Sequence, residues 1–478
     1  MKRALRAALL VLGGGSVALA QAADVPSSPP QAARAAPAQT PEQDSGTLTL
    51  DEARLLARQA LYAGRFEVAR QLAMGLLKAD AEDPYAYGVL AAAHSRLNDP
   101  KLARAAARLS YKYSDTPAQK FGAARTAASV ALQHERPTLS QAWLRIAATH
   151  TETDKQEAEL KRDYARARAA NPLSFNISLG VAPSDNVNSG TDNVLEVING
   201  VPTLGRFGSA TRALSGVVTT FDTRLRYRLR RDANSVTHAN ARLYIRRVEL
   251  SESAEADAPG VNGSLFSSTF AEVGVNHRFA LGAKGNSASV GFALGASWSG
   301  GERSYDFAKL ELGRSLRLGD ANGLSFSAVA ETRKSDISAT RDSDVLTLSG
   351  TFQHKRGNGD RVSLGLTVQD VSGAFVNADY QTTSARLAYT FGKALGPATV
   401  TAGMTVGLTD YDTYTLYSPV AGGREDVSYY GDVSLFFKDY DYAGFAPTVR
   451  VRSGRRTSNV NRFEISETTV TLGLQSKF

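Results

Sequence analysis

The feature that most restricts this chain is an alternation. From residue 173 to the end at 478, apolar and polar side chains alternate over segments of about ten residues, separated by Gly, Asn and Asp turns. Successive side chains of a β-strand point to opposite faces, so such a segment has one apolar and one polar face. In one case Thr383, Ala385, Leu387, Tyr389 and Phe391 share a face, with Thr382, Ser384 and Arg386 on the other. In a second, Val362, Leu364, Leu366 and Val368 stand against Ser363, Thr367 and Gln369. A third sets Val217, Phe221, Leu225, Tyr227 and Leu229 against Asp222, Arg224, Arg226 and Arg228. A dry soluble core does not accept three such arginines in succession, and a β-sandwich would have to turn these faces to water on both sheets. A transmembrane β-barrel puts the apolar face on lipid and the polar face in the lumen.

The alternating segments fall near 173–183, 212–230, 234–249, 266–280, 286–299, 303–318, 322–334, 342–356, 360–371, 379–393, 396–408, 426–440, 442–453 and 461–478. These fourteen predicted strands are an even number, as single-chain bacterial barrels require. The connections alternate too. Arg231-Asp232-Ala233, Lys284-Gly285, Asp320-Ala321, Gly357-Asn358-Gly359 and Gly396-Pro397 read as tight turns, and 184–211, 250–265 and 409–425 as long loops. One strand resists: Leu310, Leu312, Leu316 and Leu318 share their face with Arg314, which calls for a bulge at Gly313 or a position at the membrane interface. The last strand ends on Val470, Leu472, Leu474 and the terminal Phe478, which looks like the signal read by the outer-membrane barrel insertion machinery.

Upstream of the strands the period changes from two to that of a helix. Over 47–170 small and apolar residues recur at helical spacing with a register of 34 residues: Leu56 returns as Leu90, Ala57 as Ala91, Ala69 as Ala103 and Ala73 as Ala107. This is the tetratricopeptide period. Gly64 to Ala69 reads as a turn between two helices of a repeat, and Pro84 and Pro117 as ends of second helices. A third pair, near Phe121 to Gln133 and Thr138 to Thr149, is out of register, and Asp154 to Ala170 reads as a closing helix. Stacked helix pairs offer a concave surface to a polypeptide.

Residues 1–20 have the form of a signal peptide. Lys2, Arg3 and Arg6 precede a short apolar run that ends at Ala18-Leu19-Ala20, and about eleven apolar residues are too few to cross a bilayer. Residues 21–46, rich in Ala, Pro, Gln and Ser, read as a disordered linker. Export removes nucleic acid from the expected partners, although 55 basic residues exceed 47 acidic ones. The absence of cysteine excludes disulfides, thiol nucleophiles and Cys-based metal sites. No apolar run of about 20 residues follows the leader, which excludes a helical transporter. The expected fold is thus a periplasmic tetratricopeptide-like α-helical domain at 47–170 followed by a 14-stranded outer-membrane β-barrel at 171–478.

No constellation points to catalysis. His94, His134, His150, His238, His277 and His354 lie apart, without HExxH spacing or a serine-nucleophile motif. Arg341-Asp342-Ser343-Asp344 lacks the spacing of a calcium loop. The expectation is a protein that is not an enzyme and holds no cofactor or metal. The candidate functional residues are instead the inward arginines Arg224, Arg226, Arg228, Arg242 and Arg246, which either guide acidic segments or pair with acidic neighbours such as Asp222.

Leader, short tetratricopeptide module and fourteen-stranded barrel, in that order, resemble the surface lipoprotein assembly modulator family, the outer-membrane proteins of type XI secretion. Local matches are Asp185-Asn186-Val187-Asn188, Gly444-Phe445-Ala446-Pro447 before the penultimate strand, and Arg456-Thr457-Ser458-Asn459 before the last. The resemblance implies an outer-membrane translocator that moves lipoproteins or small secreted proteins from periplasm to cell surface. It also implies periplasmic chaperones, the barrel assembly machinery and outer-membrane lipids as partners. The sequence has no Gly-x-x-x-x-Gly-Lys-Ser/Thr loop, so transport would be driven by binding and by folding of cargo outside. A polysaccharide-export barrel and a surface barrel that contacts a host remain the alternatives.

Overall fold

The computed structural model describes residues 48 to 476. The leader at 1–20, the linker at 21–46 and Phe478 fall outside the described residues. Seven helices precede the strands: α1 (Leu50–Tyr62), α2 (Phe66–Ala79), α3 (Pro84–Arg96), α4 (Pro100–Lys112), α5 (Pro117–Gln133), α6 (Pro137–Ala148) and α7 (Asp154–Ala170). They pack as three helix pairs and a closing helix. The alanines of the 34-residue register, among them Ala57, Ala91, Ala69, Ala103, Ala73 and Ala107, are buried where helices approach closely, whereas Leu56 in the first repeat stays partly exposed.

Four prolines begin helices rather than ending them. Pro84, Pro100, Pro117 and Pro137 each stand in the first turn of α3, α4, α5 and α6, where the missing N–H is not needed. Pro84 and Pro117 therefore start first helices, which corrects their sequence assignment. Capping boxes at Thr116 with Gln119 and Thr153 with Gln156 fix the starts of α5 and α7. The turn inside each pair uses a left-handed residue: Gly64 (φ 74°), Asn98 (φ 63°) and Glu135 (φ 55°). The first two are 34 residues apart and the last two 37, because α5 has 17 residues where α3 has 13. The third repeat is thus a lengthened helix, not a lost one.

The strands are β1 (Leu173–Ser184), β2 (Leu195–Ile198), β3 (Val201–Arg206), β4 (Gly216–Arg231), β5 (Ser235–Leu250), β6 (Ser268–Ala280), β7 (Ser287–Ser299) and β8 (Glu302–Leu318). They continue as β9 (Asn322–Ser335), β10 (Ser343–Lys355), β11 (Arg361–Gly373), β12 (Tyr380–Thr390), β13 (Thr399–Tyr411), β14 (Arg424–Phe436), β15 (Phe445–Ser458) and β16 (Ile465–Ser476). All except β2 and β3 close into one antiparallel barrel of fourteen strands, in which β1 pairs with both β4 and β16. Outside it runs an apolar belt with no protein cover: Phe292, Leu312, Leu366, Leu387, Leu408 and Leu472 are each about half exposed. Water does not tolerate a belt of this extent on a soluble protein, and hydrocarbon does.

The chain enters β1 from α7, so connections at that end of the barrel share the side of the helices. They are short, the longest being the eight-residue segments 391–398 between β12 and β13 and 437–444 between β14 and β15. The opposite end carries the three longest connections, 185–215, 251–267 and 412–423, and there β7 and β8 meet through Gly300 and Gly301 alone, both at positive φ as a two-residue hairpin of the primed type requires. The ladder beside Gly313 is regular on both sides, so no bulge accommodates Arg314. Arg314 lies four residues from the end of β8 nearest the helices, and its guanidinium reaches the β6–β7 turn at Gly282. Its long side chain thus runs from the lipid face toward the turn at the strand end, as the interfacial alternative requires.

Candidate functional site: the barrel lumen and its two mouths

The inward face of the wall is charged on two arcs and neutral between them. Asp222 on β4 accepts two bonds from Arg242 on β5, at 3.1 and 3.0 Å, and one from Arg224 at 3.2 Å. Lys309 on β8 bridges Glu272 on β6 at 2.5 Å and Glu311 at 2.9 Å. On the other arc Asp432 of β14 receives Arg386 at 2.8 Å and Arg450 at 3.3 Å. Ser349 and Thr367 on β10 and β11, hydrogen-bonded at 3.2 Å, belong to the neutral stretch between the arcs.

The five arginines singled out from sequence divide into three kinds. Arg224 and Arg242 share Asp222. Arg228 and Arg246 are tied to backbone: Arg228 donates to the carbonyls of Ala169 at 3.3 Å and Ala170 at 3.2 Å, closing the C-terminus of α7, and Arg246 donates to Val187 at 2.7 Å and to Phe266. Arg226 makes no hydrogen bond or ion pair among the described residues, so of the five it alone has a guanidinium with every donor unspent.

At the mouth on the helical side, α6 and α7 face the lumen. A cavity of about 760 Å³ is bounded by Gln141, Arg145, Tyr164 and Arg168 of these helices and by residues of β1, β4, β5, β6, β7, β8, β15 and β16. Arg145 fastens the two together. It donates to the carbonyl of Ala443 at 3.1 Å and to the Tyr164 hydroxyl at 3.0 Å, and stacks over Phe445 at 4.5 Å. Gly444-Phe445-Ala446-Pro447 is therefore the barrel's half of this latch, and the Pro447 carbonyl accepts from the Phe437 N–H at 3.0 Å across the same turn.

The other two motifs lie at the opposite mouth, where they pin loops. Asn186, buried, donates to the carbonyls of Gly190 at 2.8 Å and Ser466 at 3.2 Å, and Asn188 donates to Arg212 at 2.7 Å. Ser458 accepts from the Val460 N–H at 3.2 Å, while Asn459 donates to the Asn199 side chain at 2.9 Å and accepts from Glu425. The hairpin of β2 and β3 is thereby clasped onto residues 459–464. Thr191 donates to the Asn461 carbonyl at 2.9 Å, and buried Glu196 meets Arg462 at 2.6 Å. Beneath it Arg424 pairs with Asp426 at 2.5 Å, packed against Tyr411, Tyr414 and Phe463. No sequence signal marked Glu196, Arg424 or Arg462, since each draws its meaning from a distant partner.

The helices carry a second concavity of about 460 Å³, between Arg58 and Tyr62 of α1, Tyr85 and Gly88 of α3, and Gly122 of α5. Asp83 caps α3, accepting from Tyr85 N–H at 2.8 Å, and binds Arg54 of α1 at 3.0 Å; that bond raises the Arg54 guanidinium above its ordinary range. The histidines sit in separate places. His150 meets the Tyr111 hydroxyl at 2.9 Å, His134 meets Ser95 at 3.2 Å, His94 meets Asp99 at 3.4 Å, His277 meets Thr237 at 2.9 Å and His354 meets Asn322 at 2.7 Å. His238 lies opposite Arg228 on the inward face.

No protein-family model matches this chain, and no curated protein matches it. Among solved structures, the barrel is similar to Acinetobacter baumannii OccAB4, at 10% identity over 63% of this chain and 97% of that one, TM-score 0.34. It is similar also to a BenF-like porin from Pseudomonas fluorescens Pf-5, at 10% identity over 64% and 98%, TM-score 0.35. The helices are similar to the TPR2B domain of yeast Sti1, at 19% identity over 25% and 96%, TM-score 0.23. At such identities the likeness concerns fold alone.

Proposed function

We propose that this chain is an outer-membrane translocator, with its helical module in the periplasm engaging protein cargo and its barrel providing the passage to the cell surface. The observation that carries the reading is the cavity that α6 and α7 share with the barrel lumen, so that a polypeptide held by the helices is delivered at the mouth of the polar path. Lipoproteins or small secreted proteins are the cargo that the family resemblance implies. Periplasmic chaperones would hand cargo over, the barrel assembly machinery would insert the protein, and lipids of the outer membrane would cover its belt. The reading assigns no catalytic step and no cofactor. Deletion of the gene, followed by surface labelling of lipoproteins and of small secreted proteins, tests it. Loss of one or a few from the surface, with their accumulation in the periplasm, is the expected result. Unchanged display of every protein, or loss of a surface polysaccharide instead, sinks the reading.

A further inference from the structure

The charges around the shared cavity do not cancel. Glu272 and Glu311 are held by Lys309, Arg224 and Arg242 by Asp222, and Arg145 belongs to the latch. Three guanidiniums remain on the cavity wall without a carboxylate among the described residues: Arg168 of α7, Arg226 of β4 and Arg278 of β6. All three are exposed to the cavity. Arg278 was not singled out from sequence, though the inward alternation of its strand contained it.

Their spacing suits an extended ligand. Arg226 stands in register with Asn240 on β5 and Gly274 on β6, and Arg278 lies four residues further along β6. With strands about 4.8 Å apart and a rise of about 3.3 Å per residue, the two arginine Cα atoms are roughly 16 Å apart. That separation lets an extended chain with several carboxylates engage both arginines at once. Between them Asn240 and Asn276 line the same cavity and make no side-chain hydrogen bond among the described residues. Each primary amide offers two donors and an acceptor, which suits the peptide groups of an extended polypeptide.

We infer that the cavity between α6, α7 and the lumen is a binding site for an acidic, extended polypeptide segment, held by Arg168, Arg226 and Arg278. This rests on the translocator reading for the choice of polypeptide over other polyanions. The site makes the barrel admit cargo by charge: an acidic stretch enters first, and ionic strength weakens its capture.

The test uses the full chain purified in neutral detergent and a fluorescein-labelled polyglutamate peptide of about ten residues, with a Ser/Gln peptide of equal length and polygalacturonate of matched charge as comparisons. Polyglutamate should bind at about 50 mM salt and be released near 500 mM, as Debye screening dictates. Combined Arg226→Ser and Arg278→Ser should weaken it about tenfold or more. Asp222→Asn should instead tighten it several-fold, because Arg224 and Arg242 lose their neutralising partner, and a misfolded variant does not gain affinity. Arg58→Ser, in the other concavity, should change nothing. Equal binding of the Ser/Gln peptide, equal binding of polygalacturonate, or a loss that follows Arg58 in place of Arg226 and Arg278 overturns the inference. Surface display in cells is read separately, so cargo display that persists without polyglutamate binding removes this site and leaves the translocator reading standing.

Discussion

Asp426 lies between two guanidiniums, Arg424 at 2.5 Å and Arg456 at 3.8 Å, and is almost wholly buried under the loops. Removing one member of a buried ion pair strands the other charge, at a cost of about 3–5 kcal/mol. Asp426→Ala should accordingly lower the thermal midpoint of the folded barrel, followed by its gel mobility without boiling. The double change Arg424→Met with Asp426→Leu should recover most of the loss; if it does not, the pair does more than fill its site. At this scale the sequence was least informative. Inward placement of Arg224, Arg226, Arg228, Arg242 and Arg246 followed from alternation, but their division into paired, backbone-bound and free did not, because Ala169, Val187 and Phe266 lie on other elements. Charge reversal at Arg246 would disturb the Val187 loop. Arg278 is the better position to change.

Among the elements, the strands were legible and the reason is their period. A segment such as 343–355 must put one face on lipid and the other in water, so each residue votes on the assignment. The β2–β3 hairpin was not legible, since it has no lipid face and its partners stand in the last loop. Strand β8 permits a direct comparison. Leu310 sits at its centre and Arg314 near the end. Leu310→Arg should cost about 2–4 kcal/mol in reversible unfolding from lipid vesicles, and Arg314→Leu should change stability by about 1 kcal/mol or less. Equal effects would mean that Arg314 is not at the interface. The helices should respond to acid. Burial, and secondarily the Lys120 ammonium, hold the His150 imidazole below its ordinary range. The unfolded chain then binds a proton that the folded one refuses, so the stabilisation present above pH about 6.5 is lost as the pH falls below it. The 222 nm melting transition of the full chain should therefore move down between pH 7.5 and 5.5, and by less in His150→Gln.

Across the whole molecule, the two latches set what can move. Arg145 and Arg228 join helices to barrel through three carbonyls and one ring. Arg145→Ala with Arg228→Ala should speed amide exchange in α7 while leaving β10 and β11 protected; uniform acceleration would instead mean that the barrel itself had loosened. The order of helical module and barrel was legible in the change of period near residue 171, whereas the cavity they share was not, because Arg145 and Arg168 carry no helical signal that points toward a lumen. The clasp at the far mouth has a temporal meaning. Thr191 waits for a carbonyl 270 residues later, and Glu196 for Arg462. During biosynthesis the first loop is complete long before its socket exists, so protease resistance at 195–206 is a clock hand that reaches its mark only when the final strand has been seated.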